Sequence, residues 1–226
     1  MQSKVFEMIE NHMKALMGDS AHDCHHIYRV LYAAVDIAEH EDVVDMDVLI
    51  AACLLHDIGR AAQAKDPSVC HAQVGSEMAY TYLLQNGWEE QKAEHIRACI
   101  NTHRFRGDNV PGSIEAKILF DADKLDVTGA MGIARTLIYK GQVEEPLYSV
   151  DDHGIPLDGS ADEQASFFQE YHFKLKKLYD RFYTQRASQL AQSYRSAAQA
   201  YFQSIWDQVS HTYAGGKSKI DSYLCK

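Results

Sequence analysis

The chain has 226 residues, of which 46% are hydrophobic and 24% charged, so it can bury the core of an ordinary globular protein. Its formal net charge is −10, which argues against a polyanionic partner such as duplex DNA, because binding to DNA rests on clustered lysine and arginine. A small anionic ligand stays compatible with this charge, since a local positive charge or a metal ion is enough to hold one.

The cysteines and the N-terminus predict a cellular compartment. The five cysteines are scattered and form no CxxC pair, which predicts free thiols in a reducing environment. The N-terminal stretch "MQSKVFEMIENHMKALMG" lacks the apolar core of a signal peptide, and no window approaches about 18 unbroken apolar residues. We therefore expect a cytoplasmic protein without a membrane partner.

The first part of the chain predicts a succession of helices. The stretch "SKVFEMIENHMKALM" predicts the first helix, and Asp19 or Ser20 is the predicted N-cap of the second. Apolar residues recur along the second helix at helical spacing: Ile27, Val30, Leu31, Ala34 and Ala38. The third helix, from Asp47 to His56, is apolar nearly all round and is predicted to be the central buried helix.

Three more helices are predicted before residue 127. One follows His71 and ends at "QNG", and its apolar residues share one stripe: Val74, Met78 and Tyr82. The next runs from Glu89 to about His103. The last opens at Ser113 and reaches "DADKLD".

The remainder is predicted to be an irregular segment followed by helices. Residues 141–163 form a long irregular loop, and two amphipathic helices are expected between about residues 164 and 212, followed by a loose tail, "AGGKSKIDSYLCK". Strand patterns and hairpin turns are almost absent from the sequence. We therefore expect an all-α protein that folds as a single domain over residues 1–226, with its core at about residues 20–140.

Histidines and aspartates cluster in three motifs at helix ends. In "VLIAACLLHDIGR" an apolar run ends in His56 and Asp57, whose burial is costly unless a metal ion or a hydrogen bond compensates it. In "HDCHHIYRV" His22 and His26 lie four residues apart on one helix face. In "ILFDADKLD" three aspartates follow an apolar run: Asp121, Asp123 and Asp126.

Two imidazoles and two carboxylates make a mixed nitrogen and oxygen site. Such a site suits Mn²⁺, Fe²⁺, Co²⁺, Ni²⁺ or Zn²⁺ better than Ca²⁺. Four protein ligands on an octahedral ion leave two positions open, one for water and one for a substrate oxygen, as metal-assisted hydrolysis requires. Spacing alone does not choose between His22 and His26, or among the three aspartates.

The motifs "HxxRV", "HDIGR" and "DADKLD", in this order, resemble the HD-domain metal-dependent phosphohydrolases. The continuation "DVTGAMGIARTL" is similar to the bacterial stand-alone subgroup, which includes nucleotide pyrophosphohydrolases. The resemblance covers roughly residues 20–140, and the stretch "FKLKKLYDRF" more loosely. It implies an HD-domain helical bundle followed by C-terminal helices.

The resemblance also implies the site residues. The implied metal ligands are His26, His56, Asp57 and Asp123. Asp123 is preferred because the family's last ligand directly precedes a basic residue and a leucine. Asp121 and Asp126 are then expected to orient ligands or to accept a proton from the attacking water. The implied cofactor is a divalent ion, with Mn²⁺ first and Mg²⁺, Co²⁺, Ni²⁺, Fe²⁺ or Zn²⁺ as alternatives.

Basic residues and two further histidines complete the candidate site. Lys124, together with Asp57 and Asp126, is a candidate catalytic residue, because a phosphate ester needs cationic hydrogen-bond donors. Arginines are candidates for the same role, although each also suits a surface charge or a structural salt bridge: Arg104, Arg106 and Arg135. His71 and His103 are candidates for a second metal ion or for the substrate phosphate, with a helix-capping or solvent-exposed histidine as the alternative.

The expected function is metal-dependent hydrolysis of a phosphomonoester or pyrophosphate bond in a nucleotide by a metal-activated water. Two alternatives stay open, a di-iron oxygenase with the same fold and a nucleotide sensor without catalysis. The expected partner is a small phosphorylated substrate rather than a nucleic acid polymer, and a homodimer is compatible with the sequence.

Overall fold

The computed structural model describes residues 1–17, 24–104 and 109–224. Within these ranges the regular structure is helical, apart from one isolated antiparallel bridge between Val150 and Pro156. This confirms the all-α fold class. In the same ranges no helix is both long and apolar enough to cross a membrane. Several predictions concern residues that lie outside the described ranges: the N-cap at Asp19 or Ser20, His22 and Arg106.

The chain forms two compact units. The first comprises Met1–Asp126 and Phe182–Ser188, and the second comprises Val127–Arg181 and Gln189–Lys226. The organisation as one domain over residues 1–226 stays a prediction. The helices of the first unit are α1 (Ser3–Leu16), α2 (Cys24–Ala38), α3 (Met46–Leu55), α4 (Arg60–Lys65), α5 (His71–Gln85), α6 (Glu90–Asn101) and α7 (Ile114–Leu125).

Helix α3 is the central helix of the first unit, as the sequence predicts. Nearly all of its residues from Val48 to Leu55 are buried, and it packs against α1, α2, α5, α6 and α7. The Asp45 carboxylate caps its N-terminus by accepting hydrogen bonds from the backbone N–H groups of Asp47 and Val48. A helix packed on all sides cannot rotate, so the residues that follow its C-terminus have fixed positions.

The buried face of α5 differs from the predicted stripe. Val74, Met78 and Tyr82 are only half-buried, and the buried face consists mainly of small residues: Ala72, Gly75, Ser76 and Ala79. Small side chains allow a close approach to the segment that follows α3. A Cβ atom added at Gly59 would lie 2.7 Å from the backbone nitrogen of Gly75 and 2.2 Å from the carbonyl oxygen of His71.

The second unit contains α8 (Gly129–Gln142), α9 (Phe167–Phe173), the 3₁₀ helix Leu175–Asp180 and most of α10 (Gln185–Leu224). The segment between α8 and α9 is irregular, as predicted. Backbone N–H groups of Phe167 and Phe168 donate to the carbonyl oxygens of Pro146 and Leu147, which ties the end of this segment back to its beginning.

The predicted loose tail is wrong for the residues that are described. Helix α10 passes through Gly215 and Gly216 and continues to Leu224. Each glycine lowers helix propensity by about 1 kcal/mol, but extending an existing helix costs much less than starting one. Lys217 Nζ also donates to the carbonyl oxygen of His153 at 2.7 Å. The two helices predicted for about residues 164–212 are thus a short helix, a 3₁₀ turn and one long helix.

The cysteines that the structure describes are free thiols: Cys24, Cys53, Cys70 and Cys99. Burial raises the pKa of Cys99 to about 12 and raises that of Cys53 as well. These two buried thiols are therefore neutral and unreactive at physiological pH.

Candidate metal centre

Four histidines of the first unit are at most 1% exposed and turn one ring nitrogen towards a common centre. His26 lies on α2, His56 directly follows α3, His71 begins α5, and His103 lies just after α6. The Nε2 atoms of His26 and His56 are 3.4 Å apart. The Nε2 atoms of His71 and His103 are 3.3 Å apart. The structure thus brings together histidines that are far apart in the sequence.

Backbone carbonyl groups orient two of these rings. Nδ1 of His56 donates to the carbonyl oxygen of Cys53 at 2.8 Å, and Nδ1 of His103 donates to that of Ile100 at 2.6 Å. A carbonyl oxygen can only accept, so the ring proton lies on Nδ1 in both residues. In the tautomer that carries its proton on Nδ1, Nε2 of either ring has a lone pair, and this nitrogen faces the centre.

Side chains orient the other two rings. Nδ1 of His26 donates to Asp126 Oδ2 at 2.7 Å, and Arg29 donates to both oxygens of the same carboxylate at 2.7 and 3.0 Å. Nδ1 of His71 donates to Gln63 Oε1 at 2.6 Å. Hydrogen bonds of this kind fix the tautomer of a metal-binding histidine and aim its second nitrogen at the ion.

Burial keeps at least two of the rings neutral. It lowers the pKa of His56 to about 4 and that of His71 to about 2. Neutral imidazole is the form that binds metal ions. Two lone pairs that face each other repel unless a cation lies between them. Two nitrogen ligands about 2.1 Å from one ion are roughly 3.0–3.4 Å apart, which matches both Nε2 pairs.

The carboxylate of Asp57 lies between the two histidine pairs. Its Oδ2 atom is 3.6 Å from His26 Nε2 and 3.7 Å from His56 Nε2. Its Oδ1 atom is 3.3 Å from His71 Nε2 and 3.6 Å from His103 Nε2. The side chain is completely buried. Each of the two carboxylate oxygens of Asp57 therefore faces one histidine pair.

Asp123 contributes a second carboxylate near the first pair. Its Oδ1 atom is 3.4 Å from His26 Nε2, and its Oδ2 atom is 3.0 Å from Lys124 Nζ. Burial alone raises the pKa of Asp123, but the positive charge of Lys124 opposes this effect, and the pKa lies well below its usual range. Asp123 is thus ionised, as a metal ligand must be.

The close contact between the turn after α3 and α5 positions the two halves of the cluster. His56 and Asp57 follow the immobile C-terminus of α3, and Gly59 lies directly against the carbonyl group of His71. The absence of side chains at Gly59 and Gly75 allows this contact. His71 is consequently held next to Asp57.

The donor atoms form two sets that can each hold a metal ion: His26, His56 and Asp123, and His56, Asp57 and His103. Within each set all donor atoms lie within 4.8 Å of one another. Buried neutral imidazoles and ionised carboxylates suit a divalent transition metal. The residues therefore fit the implied cofactor, although the donor set does not select one ion.

Asp121 does not belong to this cluster, contrary to the expectation that it orients ligands or accepts a proton. It is fully buried and accepts hydrogen bonds from the backbone N–H of Tyr183 at 3.0 Å and from the N–H and hydroxyl of Thr184, both at 2.7 Å. The partners of Asp121 in these hydrogen bonds belong to the segment before α10 and not to the histidine cluster. The motif "DADKLD" alone did not distinguish Asp121, which binds the backbone of Tyr183 and Thr184, from the other two aspartates.

The remaining candidates lie in different places. Lys124 is beside Asp123, and its Nζ atom is 3.5 Å from the carbonyl oxygen of His103. Arg104 Nη1 donates to the sulfur of Cys70 at 3.5 Å. Arg135 is buried on α8 in the second unit. The roles of Lys124, Arg104 and Arg135 towards a substrate stay predictions.

No role was assigned to Arg29 from the sequence, although it lies in the "HxxRV" motif, and two further residues of the site were missed. Arg60 Nε donates to Asp57 Oδ1 at 2.9 Å, and Gln63 orients His71. The signal for Arg60 was its position three residues after Asp57, which places the two side chains on the same side of a helical turn. For Gln63 no spacing rule was available, because its contact with His71 depends on the packing of α4 against α5.

Comparison with known proteins identifies the family to which the sequence is similar. A sequence model of the HD domain matches residues 24–128. The uncharacterized protein YpgQ of Bacillus subtilis strain 168 is 31% identical over 195 residues, which are 84% of this chain and 86% of YpgQ. The match to the family thus covers the helices that carry all the clustered histidines and aspartates.

Solved structures agree with this comparison. The crystal structure of Bacillus subtilis YpgQ in complex with ADP has a TM-score of 0.70 at 25% identity, covering 90% of this chain and 97% of that one. An HD-superfamily hydrolase from Bacillus thuringiensis has a TM-score of 0.68 at 26% identity, covering 91% and 96%. The chain belongs to the HD-domain family and has the fold of the HD-superfamily hydrolases.

Proposed function

We propose that this protein is a metal-dependent phosphohydrolase that acts on a nucleotide, at a phosphomonoester or a pyrophosphate bond. The proposed ligands are His26, His56, Asp57 and Asp123, and Mn²⁺ is the first choice of metal. The observation that carries the proposal is the inward-facing set of Nε2 lone pairs. Each ring proton is held on Nδ1 by an acceptor, so no proton separates His26 from His56.

A bound divalent ion would supply a Lewis acid for a phosphoryl oxygen and a water molecule of lowered pKa. Lys124 lies next to the ligand Asp123, so its ammonium group can hold a phosphate oxygen and stabilise charge as the bond breaks. Asp126 and Arg29 keep the ring of His26 in its binding orientation. Arg60 and Arg104 are additional donors on the side of the cluster near His71 and Cys70.

Support for a nucleotide substrate comes from a relative. The crystal structure of Bacillus subtilis YpgQ, which shares the fold over most of both chains, is a complex with ADP. A diphosphate ligand agrees with a site that combines a metal ion and cationic side chains. The bond that is cleaved follows from the substrate and both products together. Phosphate leaves a nucleoside monophosphate by monoester cleavage, whereas it leaves a nucleoside diphosphate or triphosphate by cleavage of a pyrophosphate bond.

The test is a panel of nucleoside mono-, di- and triphosphates with metal-depleted protein and added Mn²⁺, Mg²⁺, Co²⁺, Ni²⁺, Fe²⁺ or Zn²⁺. We expect release of phosphate or pyrophosphate from at least one nucleotide with Mn²⁺. Asp123→Asn should abolish this release and weaken Mn²⁺ binding, while Asp121→Asn, the matched change two residues away, should retain both. A metal-loaded protein without activity on any member of the panel would contradict the proposal.

A di-iron oxygenase is the second candidate, and the position of Asp57 favours it. Each oxygen of Asp57 faces one histidine pair, which is an arrangement that can bridge two ions. Elemental analysis separates the candidates. Two irons per chain, with the second lost in His71→Ala, would support the oxygenase. One metal per chain that survives His71→Ala and is lost in His56→Ala would support the hydrolase.

The third candidate is a nucleotide sensor without catalysis, which would bind a nucleotide tightly and leave it intact in the same panel. We further infer a cytoplasmic homodimer that binds neither nucleic acid polymers nor membranes. Light scattering coupled to size-exclusion chromatography measures the oligomeric state. A monomeric mass at all protein concentrations would contradict the dimer.

A further inference from the structure

A basic pocket lies in the second unit. It has a volume of about 590 Å³, is open to solvent, and its walls come from the end of α9, the 3₁₀ helix and α10. Its cationic lining residues are Lys176, Lys177, Arg181 and Arg195, and Asp180 is the one carboxylate among the described residues that line it. Pockets of this size typically hold small molecules. The residues of the histidine and aspartate cluster do not line it.

The positive charge of this pocket contrasts with the rest of the molecule. The chain as a whole carries a net charge of −10. Within the described residues, Lys176, Lys177 and Arg195 form no ion pair with a carboxylate. Their charges are therefore available to a ligand. A concentration of unneutralised cations in a concave surface attracts anions from solution.

Aromatic side chains hold two of these cations in place. Lys177 Nζ lies 5.2 Å from the ring centroid of Phe173, and the guanidinium carbon of Arg195 lies 5.5 Å from that of Tyr179. Tyr179 is buried, whereas Phe173 lines the pocket and is 52% exposed. An exposed aromatic ring beside cationic groups offers a surface on which a nucleobase can stack.

One histidine that lines the pocket has a buried nitrogen without a hydrogen-bond partner among the described residues. This nitrogen is the Nε2 atom of His172. A buried polar atom of this kind is costly unless a ligand or water satisfies it.

We propose that this pocket is a second anion site, which binds the pyrophosphoryl group of a nucleoside diphosphate or triphosphate. Lys176, Lys177, Arg181 and Arg195 contact the phosphate oxygens, and Phe173 stacks on the base. Inorganic pyrophosphate has the same anionic group as the nucleotide and lacks the base. Its affinity therefore depends on the cationic side chains, whereas the affinity of the nucleotide depends in addition on the ring of Phe173. The site requires no metal ion, and it is separate from the proposed phosphohydrolase function.

The experiment uses calorimetry to measure the binding of ADP and of inorganic pyrophosphate in EDTA. The protein is the full chain with the substitution His56→Ala, and all other variants are made in this protein. This substitution removes a proposed metal ligand, so the outcome does not depend on the catalytic proposal. We expect Lys176→Gln/Lys177→Gln to weaken both ligands by about tenfold or more, because charge-assisted hydrogen bonds are lost. Lys4→Gln/Lys219→Gln removes the same charge from exposed positions on α1 and α10 and should leave both affinities unchanged.

A second variant tests the stacking surface. Phe173→Ala should weaken ADP several-fold more than pyrophosphate, because pyrophosphate loses only the support of Lys177 by the ring, whereas ADP also loses the stacking surface. An equal loss for both ligands would contradict the role of Phe173 towards the base. Equal affinities in the lysine variant and its matched control, or no binding of either ligand in EDTA, would overturn the anion site. Circular dichroism of each variant confirms that these exposed substitutions leave the helices intact.

Discussion

At the scale of single residues, the neighbouring carboxylates of "DADKLD" have different tasks because their side chains leave α7 in different directions. Asp123 faces the Nε2 atom of His26, whereas Asp126 lies behind the same ring and accepts the proton of its Nδ1 atom. Asp121 turns to the backbone of Tyr183 and Thr184. Substitution of each by asparagine removes one charge and little volume, so the three tasks can be separated.

Asp126→Asn should weaken metal binding without unfolding the protein. The asparagine retains an oxygen that can accept from His26, but the ion pair between Arg29 and residue 126 is lost and the imidazole becomes a poorer donor to a metal. Changes in groups that support metal ligands typically cost about 10–100-fold in affinity, and we expect the lower end of this range. Titration of metal-depleted protein with Mn²⁺ measures the effect. Unchanged affinity would show that the orientation of His26 does not depend on Asp126.

Asp121→Asn should lower the free energy of unfolding and leave metal binding unchanged. The carboxylate accepts three hydrogen bonds from Tyr183 and Thr184 in a buried position, where an amide cannot accept all of them. We expect a loss of about 2 kcal/mol in the free energy of unfolding, which is typical for hydrogen bonds to a charged group. Urea denaturation measures this loss, and Mn²⁺ affinity should stay at the wild-type value. A selective loss of metal binding would return Asp121 to the site.

At the scale of helices, the cluster depends on how closely α5 approaches the turn after α3. The carbonyl group of His71 lies against Gly59, and the glycine at position 75 completes the contact. This contact places His71 Nε2 3.3 Å from Asp57 Oδ1. The geometry of the second histidine pair is therefore a property of the packing of α5, more than of any local motif.

Gly59→Ala should destabilise the protein and move His71. The new Cβ atom would lie 2.2 Å from a backbone oxygen, which cannot move aside without α5. Overpacking of this kind costs about 1–3 kcal/mol, and we expect the upper end. Gly141→Ala is the matched control, because a Cβ atom there meets nothing within 4 Å. Thermal unfolding compares the two variants, and equal melting temperatures would contradict the importance of this contact.

The sequence predicted those parts of the fold and site that are encoded locally. Helix α3 was found because a run of apolar residues leaves no polar face. The resemblance to the HD domain implied His26, His56, Asp57 and Asp123 as ligands, and the structure brings their side chains together, although their role as ligands stays a prediction. The buried face of α5 was missed because glycine, alanine and serine give no apolar signal, although they allow the closest packing. Gln63 was missed because its contact with His71 depends on tertiary packing, whereas Arg60 was missed although its spacing from Asp57 is local.

At the scale of the whole molecule, the candidate centre and the basic pocket lie in different units. The clustered histidines and aspartates belong to the first unit, and the residues that line the basic pocket belong to the second unit. A ligand that binds only to the folded state stabilises the part of the chain that binds it. Metal ions and pyrophosphate should therefore have distinguishable effects on thermal unfolding.

Differential scanning calorimetry of metal-depleted protein tests this distinction. Mn²⁺ at about 100 times its dissociation constant should stabilise the first unit by roughly 2.7 kcal/mol, while EDTA should remove this gain. Such a gain raises the melting temperature by several degrees in a protein of this size. His56→Ala should abolish the shift with Mn²⁺ and retain the shift with pyrophosphate, because that ligand is bound by cations of the second unit. A shift with Mn²⁺ that survives in His56→Ala would place the metal outside the proposed centre.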